Sequence, residues 1–285
     1  MTAERIPTAR EIKELSAKSD VKGIFAIARD WLLIGLSISL AETLDNPVAT
    51  LIAIWIIGSQ QYALGEVLVH EASHANLFKT RNLHWRLQPI FAWPFLKTVD
   101  GYRKWHLPHH TQFGTENDPI VPRYEELRKN FTRAKAFQIW FIEPLFGRAS
   151  WRYVSEDIFD EELKVLLPGL VMNGAALAVS IFFGFLYEFL IYWILPYLWA
   201  FVAFYHWQEI EDHFACDGTG RNSVGKIRGF LFHNSGHHET HHQFPSIPFF
   251  NLPSAQYMAD PTRTCVSSGF WDSYRQILEF TRRTS

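Results

Sequence analysis

The chain contains four long apolar runs, which fall into two closely spaced pairs. They cover about residues 24–44, 48–69, 165–185 and 189–207. Each run is near the ~20 residues that a helix needs to span a membrane. The first has Arg29 and Asp30 near its start, which leaves a buried helix of a soluble protein as an alternative for that run. The pattern predicts an all-α membrane protein with four transmembrane helices.

Basic residues are distributed unevenly around these runs. The links "LDNP" (44–47) and "GFLYE" (184–188) contain no Lys or Arg, and nearly all Lys and Arg lie in the remaining polar segments. Cytoplasmic segments of membrane proteins carry an excess of basic residues. We therefore predict one domain, residues 1–285, in which two helical hairpins enter the membrane from the cytoplasm. Both termini are then cytoplasmic, and residues 75–164 and 208–285 form a cytoplasmic helical cap.

Composition agrees with a membrane location. Charged residues make up 20% of the chain, against roughly 25% in average soluble proteins, and hydrophobic residues make up 48%. The net charge of −2 gives no basis for nucleic-acid binding. Residues 1–23 are polar and lack the apolar core of a secretory signal, so they are predicted to be a retained cytoplasmic tail. Cys216 and Cys265 lie far apart and indicate neither a disulfide framework nor a thiolate metal site.

Two shorter apolar stretches are not predicted to span the membrane. Residues 88–96 are too few and include two prolines, while residues 131–146 mix basic and aromatic side chains at helical spacing. Two interpretations stay open for both stretches. In the first, the stretches are interfacial or re-entrant segments of the membrane. In the second, they pack in the ordinary way beneath the cytoplasmic cap.

Most of the 13 histidines are clustered, and every cluster falls on the predicted cytoplasmic side, the first at the cytoplasmic end of the second apolar run. The clusters are "HEASH" (70–74), "HLPHH" (106–110) and "HETHH" (238–242), with His213 after the fourth apolar run. Imidazole binds zinc, copper, iron and nickel. A catalytic zinc ion uses three protein ligands, so these clusters offer too many imidazoles for one zinc. They suffice for two metal ions with about four or five ligands each. His84 and His206 are isolated and are predicted to be structural, and the role of His233 is left open.

Glu71 has two possible roles, because H-E-x-x-H is also the signature of a zinc peptidase. In such an enzyme the glutamate is the general base. In a larger metal site, Glu71 would instead orient a ligating histidine through its other ring nitrogen. The number of histidines favours this second role, and Asp212, just before His213, is predicted to act in the same way.

In order, spacing and context, these boxes resemble those of the membrane fatty acid desaturase and hydroxylase superfamily. The likeness extends to "YRKWHLPHHTQFGTENDP" and "FHNSGHHETHHQFPSIPFFNLP" around the second and third boxes. Members share three histidine boxes around two iron ions. The resemblance implies that the iron ligands are His70, His74, His106, His109, His110, His213, His238, His241 and His242. It also implies that Asn234 contacts a metal ion through a water molecule, and it leaves His237 out of the ligand set.

The resemblance implies an oxygen-dependent oxidoreductase that attacks an unactivated C–H bond. The first hypothesis is a fatty acyl (lipid) desaturase. The boxes are equally compatible with a hydroxylase or ketolase of a fatty chain, carotenoid or other apolar substrate. More distant alternatives are a membrane zinc peptidase using "HEASH" and a metal-binding protein without catalysis. The sequence has no His-Pro-Gly-Gly run and no iron–sulfur cysteine set, so an external electron donor is implied, either a ferredoxin or a b-type cytochrome with its reductase.

Overall fold

The computed structural model describes residues 7–129, 131–216, 220–260 and 264–283, so part of the predicted tail, residues 1–6, lies outside the described residues. Among the described residues, four helices are long and apolar enough to cross a membrane. They are Asp20–Leu44 (α2), Pro47–Ser73 (α3), Leu163–Phe183 (α10) and Leu186–His213 (α11). Each predicted run lies within or almost within one of these helices. The prediction of a helical protein with four candidate spans is confirmed.

The second and fourth helices extend beyond their predicted apolar runs. α3 continues to Ser73 and α11 to His213, so each helix carries a predicted ligand, His70 or His213, on the same continuous element as its apolar segment. α3 also contains a π-helical turn, Ala63–Leu68, directly before the first histidine box. Such turns occur frequently at functional sites.

Local sequence explains where the apolar helices end. Asp45 ends α2 in the left-handed conformation, and the Asn46 side chain then accepts a hydrogen bond from the backbone of Ala49 at the start of α3. Pro47 occupies the first turn of α3, where its missing N–H costs nothing. Gly184, with φ of 80°, ends α10. Each pair of apolar helices is thus joined by only two residues.

The charges that interrupt the first apolar run face the protein interior. Arg29 Nη2 lies 2.7 Å from Asp30 Oδ1, and the Asp30 side chain is fully buried. His233 Nε2 lies 2.7 Å from the second oxygen of Asp30. Ionisable residues in membrane helices characteristically pair in this way. The contact between Asp30 and His233 therefore joins α2 to the segment just before the third histidine box. It gives His233 a structural role.

α3 and α11 pack closely because small residues lie at their contact. A Cβ atom added at Gly58 would lie 2.4 Å from Ala200 Cβ and 2.8 Å from the backbone nitrogen of Phe201. Small residues at such contacts let membrane helices approach each other closely. By contrast, the outer side of α10 exposes large apolar residues such as Phe182, which suits contact with lipid.

The remaining helices are short and lie in the polar parts of the chain. They are Ala9–Leu15 (α1), Leu83–Arg86 (α4), Gln88–Phe91 (α5), Val99–Gln112 (α6), Val121–Arg128 (α7), 133–145 (α8), 148–158 (α9), Lys226–Leu231 (α12), His238–Gln243 (α13), Leu252–Ala255 (α14) and Phe270–Arg283 (α15). Among them, α5 and α8 correspond to the two short apolar stretches. Phe91, Phe95, Ile139 and Trp140 are fully buried there. Ile90, Phe137, Ile142 and Phe146 in the same stretches are exposed. Each stretch therefore packs one apolar side into the protein and leaves another outside, so both interpretations stay open.

A small parallel sheet was not predicted from the sequence. Gly220–Ser223 (β1) pairs with Thr264–Ser267 (β2), with Asn222 opposite Val266. The Asn222 side chain accepts a hydrogen bond from the Thr240 backbone and donates one to the Thr240 hydroxyl, at 3.1 and 2.8 Å. The sheet therefore fixes α13, which carries the third histidine box.

Candidate metal centre

Nine histidines converge into two groups, in each of which one ring nitrogen per residue lies within 4.8 Å of the others. The first group is His70, His74, His106, His110 and His241, and the second is His109, His213, His238 and His242. Together they are the nine histidines predicted as ligands. The structure thus brings together residues that lie up to 172 positions apart in the chain.

The second and third boxes each contribute to both groups. On α6, His106 and His110 belong to the first group, and His109 belongs to the second. On α13 the assignment is reversed, because His238 and His242 belong to the second group and His241 to the first. Residues four apart share a helix face. Each H-x-x-H-H box therefore presents an i, i+4 pair to one group and its remaining histidine to the other.

The first group is held together at Nε2. The Nε2 atoms of His74 and His106 lie 2.9 Å apart, and those of His106 and His110 lie 3.0 Å apart. His241 Nε2 lies 3.2 Å from the same atom of His74 and of His110. His70 Nε2 is buried and makes no hydrogen bond to the described residues. Five imidazoles thus direct nitrogens toward a common point.

The second group has the same arrangement. His238 Nε2 lies 2.8 Å from His213 Nε2 and 3.0 Å from His242 Nε2. His109 Nε2 lies 3.2 Å from His242 Nε2. An imidazole nitrogen binds a metal ion at about 2.0–2.1 Å, which places neighbouring ligands roughly 2.9–3.4 Å apart around one octahedral or tetrahedral ion. The spacings in both groups fit that requirement.

The protonation of these histidines also suits metal binding. Burial, followed by the neighbouring imidazoles, lowers the pKa of His74, His106, His238, His241 and His242 well below the usual value. The same causes lower the pKa of His110 to about 3. A neutral imidazole keeps a lone pair for a metal, and metal ligands must be deprotonated.

A carboxylate that was not predicted from the sequence supports the second group. Asp118 is 2% exposed, and its Oδ1 accepts a hydrogen bond from His109 Nδ1 at 2.9 Å. Gly114 and Ile120 donate backbone hydrogen bonds to the same carboxylate. Burial acts to raise the pKa of Asp118, but these bonds lower it overall. Metal-binding histidines commonly donate their other N–H to a carboxylate. The available signal was an acidic residue in the loop directly after the second box.

Asp212 and Glu71 lie beside the groups, in different relationships to them. Asp212 Oδ2 lies 3.4 Å from Nδ1 of His238. Glu71 Oε1 is 3.9 Å from His70 Nδ1, while its Oε2 accepts a hydrogen bond from the Phe249 backbone at 3.1 Å. Glu71 therefore ties the end of α3 to the segment after the third box.

The other predicted residues lie around the centre. Asn234 donates a side-chain N–H to the Phe249 carbonyl at 3.3 Å. Its water-mediated contact with a metal ion stays a prediction. His206 is buried between the Arg152 guanidinium and the Ile139 carbonyl, in agreement with a structural role. His84 is buried among aromatic rings, and His237 belongs to neither group.

A cavity of about 140 Å³ touches both groups of histidines. Its wall includes His70 and His106 from the first group and His109, His213 and His238 from the second. The rest of the wall is rich in aromatic side chains, among them those of Tyr62, Tyr102, Trp105, Tyr124 and Tyr205. The centre thus has a small space beside both sets of nitrogens.

Most of the chain matches the model of a known protein family. Residues 45–269 match the family model described as fatty acid desaturase. This range includes all three histidine boxes, Asp118 and both strands of the small sheet.

Several curated proteins are similar along most of their length. A dihydrorhizobitoxine desaturase of Bradyrhizobium elkanii is 29% identical, covering 90% of this chain and 82% of that protein. An sn-1 acyl-lipid omega-3 desaturase (ferredoxin) of Nostoc sp. (strain 36) is 25% identical, covering 84% of this chain and 75% of that protein. A beta-carotene ketolase of Paracoccus sp. (strain PC1) is 25% identical, covering 66% and 71%.

Proposed function

Because this chain belongs to the fatty acid desaturase family, we propose that it is a membrane-bound, oxygen-dependent di-iron desaturase of an acyl chain. The single observation that carries the proposal is the convergence of nine imidazoles into two groups with ligand spacing. The first group would hold one iron through five histidines and the second would hold another through four.

Two irons in these positions would supply the dioxygen activation and C–H oxidation that the family performs. The chain's own residues prepare the site for them. Burial lowers the pKa of most of these histidines, which keeps their imidazoles neutral, and Asp118 fixes the ring of His109. The aromatic side chains in the cavity wall offer an apolar surface for the substrate.

Desaturation is proposed ahead of oxygenation because two of the similar proteins carry the name desaturase. Hydroxylation or ketone formation on an apolar substrate is the second candidate, favoured by the similarity to a beta-carotene ketolase. The two outcomes differ in whether a second hydrogen is removed or oxygen is added. Both would use the same histidines.

A zinc peptidase is less well supported. Such a site needs three protein ligands and an open position, whereas nine imidazoles converge here in two groups. Glu71 would also have to activate a water, but one of its oxygens already accepts a hydrogen bond from Phe249.

The proposed topology and partner follow the distribution of charge and the similarities. We propose that the links at 45–46 and 184–185 lie on the side opposite the histidines, and that both termini and the histidine-bearing segments are cytoplasmic. We also propose that a ferredoxin, or a b-type cytochrome with its reductase, supplies electrons. The Nostoc protein carries ferredoxin in its name.

The metal content of purified protein tests the proposal directly. Two irons per chain are expected by elemental analysis, falling toward one or none in His109→Ala and His241→Ala. Thr111→Ala, on the exposed side of α6, is the matched control and should keep both. One zinc and no iron would overturn the proposal.

The reaction is tested by expression in a host of defined lipid composition, followed by mass spectrometry of lipids and pigments. Loss of two hydrogen atoms from an acyl chain is the expected change. Gain of an oxygen atom would favour the hydroxylase or ketolase. His241→Ala should abolish either change, and Thr111→Ala should not.

A further inference from the structure

A second cavity lies away from the histidine groups, at the first turns of α2. It has a volume of about 630 Å³ and lies between α2, α12 and the segment around Phe249 and Phe250. None of the nine converging histidines lines it. The cavity therefore needs an explanation separate from the proposed oxidation chemistry.

The charged side chains that line this cavity are all basic. Lys22, Arg29 and Lys226 line it, and no carboxylate of the described residues does. Arg29 is already bonded to Asp30 and to the Phe230 carbonyl. Lys22 and Lys226 form no ion pair with any acidic side chain in the described part of the chain, and Lys22 Nζ lies 3.9 Å from the centre of the Phe250 ring. Two uncompensated lysines from different helices thus face one space.

The surface next to the cavity is apolar and exposed. Val21, Phe25 and Phe230 line the cavity and are 76%, 68% and 58% exposed. Further along α2, Leu32 and Leu36 are also exposed on the same side of the helix. Because α2 is a candidate membrane span, this apolar strip would run from the cavity into the hydrocarbon region.

We infer that this cavity binds the phosphate of an anionic membrane phospholipid, whose acyl chains lie along the outer side of α2. Lysines at the membrane surface attract anionic lipids, and basic pockets between membrane helices bind their headgroups. The apolar strip supplies the second half of the recognition, which a free phosphate ion could not use. Bound in this way, the lipid would link α2 to α12 and so brace the segment that leads to the third histidine box.

Native mass spectrometry of the metal-loaded protein tests the inference, with phosphatidylglycerol and phosphatidylcholine as probes. The wild-type protein should retain phosphatidylglycerol in preference to phosphatidylcholine. Replacing both lysines, Lys22→Gln with Lys226→Gln, should weaken phosphatidylglycerol binding about 30-fold, the loss expected for two lysines near an anionic surface. The matched control is Lys13→Gln with Lys129→Gln, which removes two exposed lysines outside the cavity and should leave binding unchanged.

Two further measurements keep the result clear if the glutamine variant folds poorly. Lys22→Arg with Lys226→Arg keeps the charge and should retain the lipid, and binding to wild-type protein should weaken as salt is raised. Equal binding of the two lipids, or full retention in the glutamine variant, would overturn the inference. Complete displacement by inorganic phosphate would also overturn it, because the acyl contacts would then contribute nothing.

Discussion

His109 Nδ1 and Asp118 Oδ1 lie 2.9 Å apart, and both side chains are 3% exposed or less. The bond leaves Nε2 of His109 directed toward the second histidine group. A predicted ligand, at one helix end, and its supporting carboxylate, in the following loop, therefore lie only nine positions apart in the chain. This relationship makes the second group testable separately from the first.

Asp118→Asn is expected to weaken metal binding at the second group. The amide keeps the shape of the side chain but loses the charge that orients His109, and such changes typically reduce metal affinity by about 10–100-fold. Iron per chain should fall from two toward one after dialysis against a weak chelator. Glu116→Gln, an exposed residue of the same loop, is the control. Full iron in Asp118→Asn would show that the carboxylate does not support a ligand.

Glu71→Ala is expected to destabilise the protein without removing the capacity for two metals. The substitution leaves the buried Phe249 N–H without its acceptor, which costs about 1–3 kcal/mol. Glu71→Gln keeps an acceptor oxygen and should lose much less stability. Denaturant unfolding compares the two variants. A peptidase would behave differently, since Glu71→Gln would abolish peptide hydrolysis with its metal still bound.

Lys97→Met is expected to be strongly destabilising. Lys97 forms an ion pair with Glu66, whose side chain is 6% exposed within α3 beside the histidine cavity. Removing one partner of a buried pair costs about 3–5 kcal/mol, because the other charge is left uncompensated. Combining Lys97→Met with Glu66→Gln should recover most of the loss in free energy of unfolding. A double variant as unstable as the single one would argue against this account.

Gly58→Leu is expected to lower stability by about 1–3 kcal/mol through overpacking. Its new side chain would collide with Ala200 and Phe201 on α11. The control is Gly35→Leu on α2, where no atom lies within 4 Å of an added Cβ. Thermal unfolding in one detergent compares the two. Equal shifts would contradict the proposed close contact of α3 with α11.

Cysteine labelling in intact membranes is expected to separate the two sides of the protein. In a background of Cys216→Ser and Cys265→Ser, a cysteine at Thr111 should react only from the cytoplasm, and one at Asp45 only from the opposite side. Both original residues are exposed. Labelling of both positions from the same side would refute the proposed hairpin topology.

Much of the fold and of the candidate site could be predicted from the sequence, because the relevant signals are local. Apolar runs of spanning length predicted the four long helices, and α3 extends only to Ser73, four residues past its predicted end. The nine converging histidines were all predicted from box spacing and family resemblance. The sheet of β1 and β2 was missed, since its strands are four residues each and lie far apart in the chain.

The sequence by itself determined which histidines were available and which of them share a helix face, since i, i+4 spacing is a property of one helix. Only the tertiary structure decided how the histidines of each box divide between the two groups. His109 lies with His242 in the second group, and His241 lies with His74 in the first. It also decided that Asp118 supports His109 and that Glu71 bonds to Phe249. These contacts depend on how α3, α6, α11 and α13 pack against each other, and no local sequence pattern specifies that packing.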